Sequence, residues 1–174
     1  MSIEFSKPII GFAAFSGTGK TTLLVKILPI LRNKGLRVAM LKHAHHDFDV
    51  DKPGKDSYEL RQSGASPMII CSSRRTAIMI DHEQQQEPDL QDLLRHIQPD
   101  KTDLVLVEGF KHWNYPKIEL HRPALSKPLL FPNDKNIIAI AHDGNLDRVP
   151  DIPVMDINKP IQIAEFVLQL TQQQ

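Results

Sequence analysis

Pro8-Ile9-Ile10-Gly11-Phe12-Ala13-Ala14-Phe15-Ser16-Gly17-Thr18-Gly19-Lys20-Thr21-Thr22 decides how this chain is organised. Residues 8–14 are a short apolar run and read as a buried strand. Ser16-Gly17-Thr18-Gly19 is a small-residue turn. From Lys20 onward Leu23, Leu24, Ile27, Leu28 and Leu31 recur every three or four residues, which predicts a helix that stops at Gly35. A glycine turn between strand and helix lets backbone N–H groups approach phosphate oxygens, and the helix N-terminus adds partial positive charge. Lys20 has the length to reach β- and γ-phosphates, and the Thr21 hydroxyl suits Mg²⁺. Ser16, Gly17, Thr18, Gly19, Lys20, Thr21 and Thr22 are thus the candidate nucleotide contacts. The loop departs from the usual spacing in one place, where Ala14 stands for the first glycine, and Phe15 excludes the variant loop with an extra early lysine.

Outward from this unit the chain alternates. Residues 36–41 read as a second strand, giving a βαβ opening, and Pro29 predicts a kink in the helix between them. A polar loop covers 42–55, long enough to suggest function. A short helix over 56–63, a strand over 68–71 and its hairpin partner over 76–80 follow, then a helix over 89–97 with Leu90, Leu93, Leu94 and Ile97 on one stripe. Asp103-Leu104-Val105-Leu106-Val107-Glu108-Gly109 holds the most apolar strand, and a continuous apolar run implies cover on both faces, as in a parallel sheet. Strands over 117–120 and 137–141, a proline-rich excursion over 123–132, a strand near Val154 and a helix over 160–170 complete the chain. The reading is one nucleotide-binding domain spanning 1–174, an α/β P-loop NTPase fold with a mostly parallel sheet, helices on both faces and a β-hairpin extension.

Composition removes other classes. Lys plus Arg and Asp plus Glu each total 21 in 174 residues, so the basic surplus of a nucleic-acid binder is missing and self-association stays open. The single cysteine, Cys71, excludes a disulfide scaffold and reads as a small buried hydrophobe. There is no apolar run long enough for a membrane span, and the amino terminus lacks a signal-peptide layout, so a cytoplasmic protein is expected.

A nucleotide site needs Mg²⁺ and an acid at the end of a strand beside the phosphate loop. Glu108 fits, and with Lys20 it forms the candidate catalytic pair; Asp103, at the other end of the same strand, does not belong to the site. Lys42 opens the loop at the carboxyl end of the second strand, the sheet edge where ligands bind, and can touch phosphate. Asp56, Asp47, Asp49 and Asp51 compete for the metal. His43, His45 and His46 invite a transition-metal reading but lack the Cys-x-x-Cys or helical His pairs that would fix its geometry. The guanine signature Asn-Lys-x-Asp is missing; Asn158-Lys159-Pro160-Ile161 fails at its last position, while Asp143, after a late strand, is a candidate base contact. From the residues alone ATP and GTP both remain open.

Lys42-His43-Ala44-His45-His46-Asp47, Pro53-Gly54-Lys55-Asp56-Ser57 and Val107-Glu108-Gly109-Phe110-Lys111-His112, together with the phosphate loop, resemble the MobB family of molybdopterin-guanine dinucleotide biosynthesis adapter proteins. The resemblance runs nearly the whole chain. It implies GTP and Mg²⁺ as ligands, weak GTPase activity, a homodimer, and partnership with the molybdenum cofactor guanylyltransferase and molybdopterin. A wider similarity to dethiobiotin synthetases implies phosphate and Mg²⁺ roles for Lys42, Asp56 and Glu108, and favours Asp56 over Asp49. The rival readings are a small-molecule kinase or synthetase of that type and a nickel metallochaperone GTPase using His43, His45 and His46.

Overall fold

The computed structural model describes residues 3–44, 48–82, 84 and 87–172. The sequence reading treats 1–174 as one domain; the internal contacts gather in two compact units, residues 1–43 with 89–174, and residues 44–88.

The larger unit is built on the opening βαβ. Strand β1 (Ile9–Ala13) leads through the glycine loop into helix α1 (Lys20–Asn33), and β2 (Val38–Lys42) follows. Helix α1 stops as its sequence requires: Leu36 N–H donates to the Leu31 carbonyl and Gly35 N–H to that of Arg32, the paired bonds of a Schellman cap. It runs on through Pro29, the expected kink site, as one continuous helix. Pro29 is exposed, and so is Val25, whose carbonyl loses a helical donor there and can meet water instead.

Helix α3 (Leu90–Leu94) is one short turn-rich element capped by the Asp89 carboxylate, which accepts the N–H groups of Gln91 and Asp92. Strands β5 (Leu104–Glu108), β6 (Lys117–His121), β7 (Ile137–His142) and β8 (Val154–Asp156) and helix α4 (Pro160–Gln172) complete the unit. The sheet is ordered β2-β5-β1-β6-β7-β8 and every described pair in it is parallel. Alternate residues of its apolar strands face opposite ways. Ile10, Phe12, Leu104, Leu106, Ile118 and Leu120 pack with Leu23, Ile27 and Leu31 of α1 and with Ile163 and Val167 of α4. Ile9, Val105 and Val107 meet Leu90 and Leu94 of α3 with Trp113 and Tyr115 on the other face. Both faces are covered, as the uninterrupted apolar runs imply. This is the P-loop NTPase fold, in which β1 sits centrally and the chain leaves it in one direction for β2 and crosses it between β5 and β6.

Residues 44–88 hold α2 (Asp56–Gln62) and an antiparallel hairpin of β3 (Met68–Cys71) and β4 (Thr76–Met79), with Met68 opposite Met79 and Cys71 opposite Thr76. Cys71 is exposed, which corrects the buried reading. A two-stranded hairpin has two faces and no second layer of its own, so Ile69, Ile70 and Ile78 are exposed as well. Arg61 organises this unit: its guanidinium donates to Asp49 at 2.6 Å, Asp51 at 2.9 Å and Asp81 at 3.3 Å. It holds the Asp49 carboxyl below the usual carboxylate range.

Candidate functional site

Parallel register brings three strand ends together. Lys42 lies opposite Glu108, and Phe12 lies opposite Glu108 on the other side, so the carboxyl ends of β2, β5 and β1 form one edge. At that edge the chain leaves β1 through Phe15, Ser16, Gly17 and Thr18. Thr18 is buried, and its hydroxyl donates to the Phe15 carbonyl at 2.8 Å, closing the loop on itself. Gly17 and Gly19 have φ of 83° and 90°, which L side chains rarely adopt. Gly19 is the N-cap of α1 and has no side chain to offer, and the first turn carries no acidic residue. The first-turn N–H groups of Lys20, Thr21 and Thr22 therefore have no cap from within the helix and suit an external anion.

Lys20 and Lys42 approach one carboxylate oxygen. Lys20 Nζ and Lys42 Nζ are each 3.4 Å from Glu108 Oε1, and the Glu108 side chain is only 13% exposed. One acid thus holds two ammonium groups beside the glycine loop. Immediately after it Gly109 and Phe110 have φ of 97° and 50°. A Cβ on Gly109 would lie 2.6 Å from His43 Cβ, so this turn is closed to other residues. Phe110 pays the strain of a left-handed conformation, and the turn is over-determined: the Tyr115 hydroxyl donates to the Gly109 carbonyl at 2.8 Å, and the Phe110 and His43 rings lie 5.2 Å apart. Lys111 Nζ sits 5.8 Å above the Phe15 ring, beside the loop.

The remaining sequence candidates fall elsewhere. Asp103 pairs with Arg37, whose guanidinium and backbone N–H hold its carboxyl well below the usual range, at the amino end of β5. Asp56 is the first residue of α2, in the 44–88 unit. Asp49 and Asp51 bond Arg61. His45, His46 and Asp47 lie outside the described residues, and among the described residues no group of three His, Cys, Asp or Glu is arranged for a metal ion. No described helix is long and apolar enough to cross a membrane.

Two contributors escaped the sequence reading. Arg122 follows β6 directly; its Nε donates to the Thr18 carbonyl at 3.0 Å, and its terminal nitrogens donate to Asp143 and, at 3.2 Å, to Asn158. A basic residue at the carboxyl end of a strand flanking β1 was a usable signal, since that edge is where ligands bind. Asn158 stands in the sequence only within Asn158-Lys159-Pro160-Ile161, a motif that fails at its last position. A cavity of about 310 Å³ opens between the glycine loop and Arg122, Asn158 and Pro160. A second, of about 430 Å³, is lined by His142, Asp143, Gly144, Asp156 and Asn158 among others.

Polar groups inside β6 give the site edge a pH dependence. His121 is buried with its Nδ1 4.0 Å from Glu119 Oε1, and it pairs in register with His142. Burial, and then the charge of His142, lowers its pKa, while Asp143 and Asp147 oppose this. Because the folded protein disfavours the imidazolium, the unfolded chain binds that proton first. This contribution to stability is complete above the ordinary value of 6.5 and is lost as pH falls from there toward the lower folded value. Thermal unfolding followed from about pH 7.5 to about pH 5 should therefore show a steeper acid loss in the parent than in His121→Asn; identical slopes would remove His121 from the account.

The chain is also similar to known proteins in sequence and in fold. A family model described as molybdopterin guanine dinucleotide synthesis protein B matches residues 9–143. The molybdopterin-guanine dinucleotide biosynthesis adapter protein of Escherichia coli K12 is 46% identical over 168 residues, 96% of this chain and 95% of that one. The adapter protein of Haemophilus influenzae is 42% identical, over 92% of this chain and 87% of its own. A crystal structure of molybdopterin-guanine biosynthesis protein B superposes with a TM-score of 0.70 at 28% identity, covering 93% of this chain and 99% of that one. The Bacillus subtilis MobB crystal structure gives 0.70 at 26% identity, covering 93% and 96%. With a strand-loop-helix core, a strand-end acid and a near full-length match, the chain belongs to the MobB family of molybdopterin-guanine dinucleotide biosynthesis adapter proteins.

Proposed function

We propose that the chain is a GTP-binding adapter of molybdenum cofactor assembly that holds Mg·GTP on residues 16–22, hydrolyses it slowly, and assists the attachment of GMP to molybdopterin or the delivery of the finished cofactor. The observation that carries this reading is the convergence of Lys20 and Lys42 on Glu108 beside an uncapped helix N-terminus. Glu108 balances two ammonium groups; a triphosphate would offer them stronger partners and leave the carboxylate available.

Glu108 and the Thr21 hydroxyl are hard oxygen donors, the type that Mg²⁺ takes beside phosphate oxygens, so the donor set fits that ion. Held by Glu108 and Thr21, Mg²⁺ would supply positive charge against the triphosphate. Asp56 is a further donor on family resemblance. Arg122 is committed to Thr18, Asp143 and Asn158 and so is not poised over a γ-phosphate. A P-loop GTPase without a supplied arginine turns over at roughly 10⁻⁴ to 10⁻³ per second, which suits an adapter better than a metabolic catalyst. The proposed partners are the guanylyltransferase of the pathway and the small molecule molybdopterin, and the proposed setting is the cytoplasm. A homodimer would cover the exposed Ile69, Ile70 and Ile78.

The test pairs retrieval with turnover. The chain, presented with GTP or GDP to a molybdenum-replete bacterial lysate, should recover the guanylyltransferase or molybdopterin; an empty eluate with both nucleotides counts against the adapter reading. In single-turnover assays Glu108→Gln should slow GTP hydrolysis about tenfold or more while changing GTP affinity far less. Equal losses in both would make Glu108 a binding residue only.

A further inference from the structure

We infer that Lys111 is a catalytic residue of the proposed GTP hydrolysis, an ammonium carried to the γ-phosphate, and that the buried Lys117 positions it; this deepens the nucleotide reading above and rests on it. Glu108 ends β5, and three residues later Lys111 has come back to the glycine loop, its Nζ 5.8 Å above the Phe15 ring. Phe15 immediately precedes Ser16, where the candidate phosphate contacts begin. Lys111 therefore leaves the same strand end as Glu108 and reaches the same loop as Lys20.

The turn that brings it there is strained and held at both ends. Gly109 and Phe110 have φ of 97° and 50°, a backbone that persists only where its surroundings fix it. The Tyr115 hydroxyl donates to the Gly109 carbonyl at 2.8 Å, and Lys117 Nζ donates to the Lys111 carbonyl at 2.9 Å. Lys117 is 2% exposed, with Asp134 Oδ2 at 2.9 Å as its counter-charge. Asp134 Oδ1 in turn accepts the backbone and side-chain N–H groups of Asn136. A buried ion pair is an unfavourable way to fill space that an apolar side chain would fill. What this ammonium adds is its bond to Lys111 and its place 5.0 Å from the ring of Tyr115, the other anchor of the same turn.

Charge favours a polyanion here. Lys20 and Lys42 share Glu108, whereas Lys111 is exposed and, among the described residues, no carboxylate pairs with its ammonium. The ring face of Phe15 is a weak partner for an exposed ammonium beside what phosphate oxygens offer, so a γ-phosphate on the loop would draw Lys111 to itself. In the hydrolysis, a water oxygen bonds to the γ-phosphorus as the bond from that phosphorus to the β–γ bridging oxygen breaks. GDP leaves with the electron pair, and the proton of water passes to solvent. Charge shifts over the γ-oxygens as these bonds exchange, and an ammonium beside them stabilises that state more than bound GTP. Arg122, committed to Thr18, Asp143 and Asn158, leaves this place to Lys111. A lysine is a hydrated point charge without the bidentate fork of arginine, in keeping with slow turnover.

The test measures GTP affinity and single-turnover hydrolysis with Mg²⁺ on the whole chain. Lys111→Met should hydrolyse GTP about tenfold or more slowly while its GTP dissociation constant changes by less than about threefold. Lys111→Ala should regain part of the lost rate when methylammonium is added, and the parent should not respond; a merely structural loss has no such rescue. Lys117→Met combined with Asp134→Asn removes the buried cation and its counter-charge together. It should slow hydrolysis in the parent background and change nothing further in Lys111→Met, because no ammonium is left to position. The amine rescue decides the role of Lys111 whether or not that variant folds. Lys111→Met hydrolysing like the parent, equal losses in binding and turnover, or no rescue of Lys111→Ala overturns the assignment of Lys111. An equal slowing by the Lys117 change in both backgrounds overturns that of Lys117. A parent that binds GTP without hydrolysing it overturns this inference and leaves the phosphate loop standing, and a parent that binds no GTP overturns the nucleotide reading itself.

Discussion

Lys20→Ala should lower the affinity for GTP by roughly 100-fold or more, without unfolding the protein. The loss follows from removing a charge whose partners in the bound state are phosphate oxygens in a sheltered cleft, where truncating one member of a charged pair costs several kcal/mol. Folding survives because Glu108 keeps its second partner, Lys42, at the same 3.4 Å. The Lys20→Ala and Lys42→Ala double variant is the contrast: it leaves a side chain only 13% exposed, that of Glu108, without a cation. Its thermal midpoint should drop by more than the two single changes add up to. Titration with GTP and a melting curve on the same samples check both statements. Micromolar GTP binding retained by Lys20→Ala would move the phosphate site away from residues 16–22.

The parts of this arrangement differ in how far the sequence reveals them. Residues 9–13, the glycine turn and α1 are legible because each level agrees: apolar run, small-residue turn, 3.6-residue spacing and a glycine stop. Lys42 and Glu108 are legible as the first charged residues after apolar strands, and parallel pairing then makes them neighbours. Arg122 was not legible in the same way, because its importance lies in reaching Thr18, 104 residues earlier, across a strand order that the chain does not follow in sequence. Polar residues of β6 hide for a related reason. Lys117-Ile118-Glu119-Leu120-His121 alternates as a half-exposed strand does, yet all five are buried. Lys117 is satisfied by Asp134 and by the Lys111 carbonyl, and Glu119 by the N–H groups of Leu130 and Phe131. Those partners come from irregular segments, where periodicity carries no signal. Cys71 errs the opposite way, an apolar strand whose hairpin leaves it exposed.

Gly11→Ala should be strongly destabilising, and should disturb the site from a distance. Gly11 sits in the middle of β1, opposite Val107 of β5 and Lys117 of β6. A Cβ there would lie 2.3 Å from Tyr115 Cε2 and 3.1 Å from Lys117 Cγ. Neither neighbour can step aside freely. Tyr115 is 5% exposed, its hydroxyl is tied to the Gly109 carbonyl, and the Lys117 ammonium, itself on a 2% exposed residue, lies 5.0 Å from its ring. Overpacking of this kind costs about 1–3 kcal/mol, at the upper end where the clashing ring is buried and bonded, which in a domain of this size lowers the melting midpoint by about 5–10 °C. Moving Tyr115 also releases the strained Gly109–Phe110 turn that follows Glu108, so GTP hydrolysis should fall further than GTP binding. Combining Gly11→Ala with Tyr115→Leu separates the causes. The double variant should melt higher than the two losses summed, because the leucine withdraws the atom that the new methyl meets, whereas simple additivity would mean that the glycine is required by the strand rather than by the ring against it.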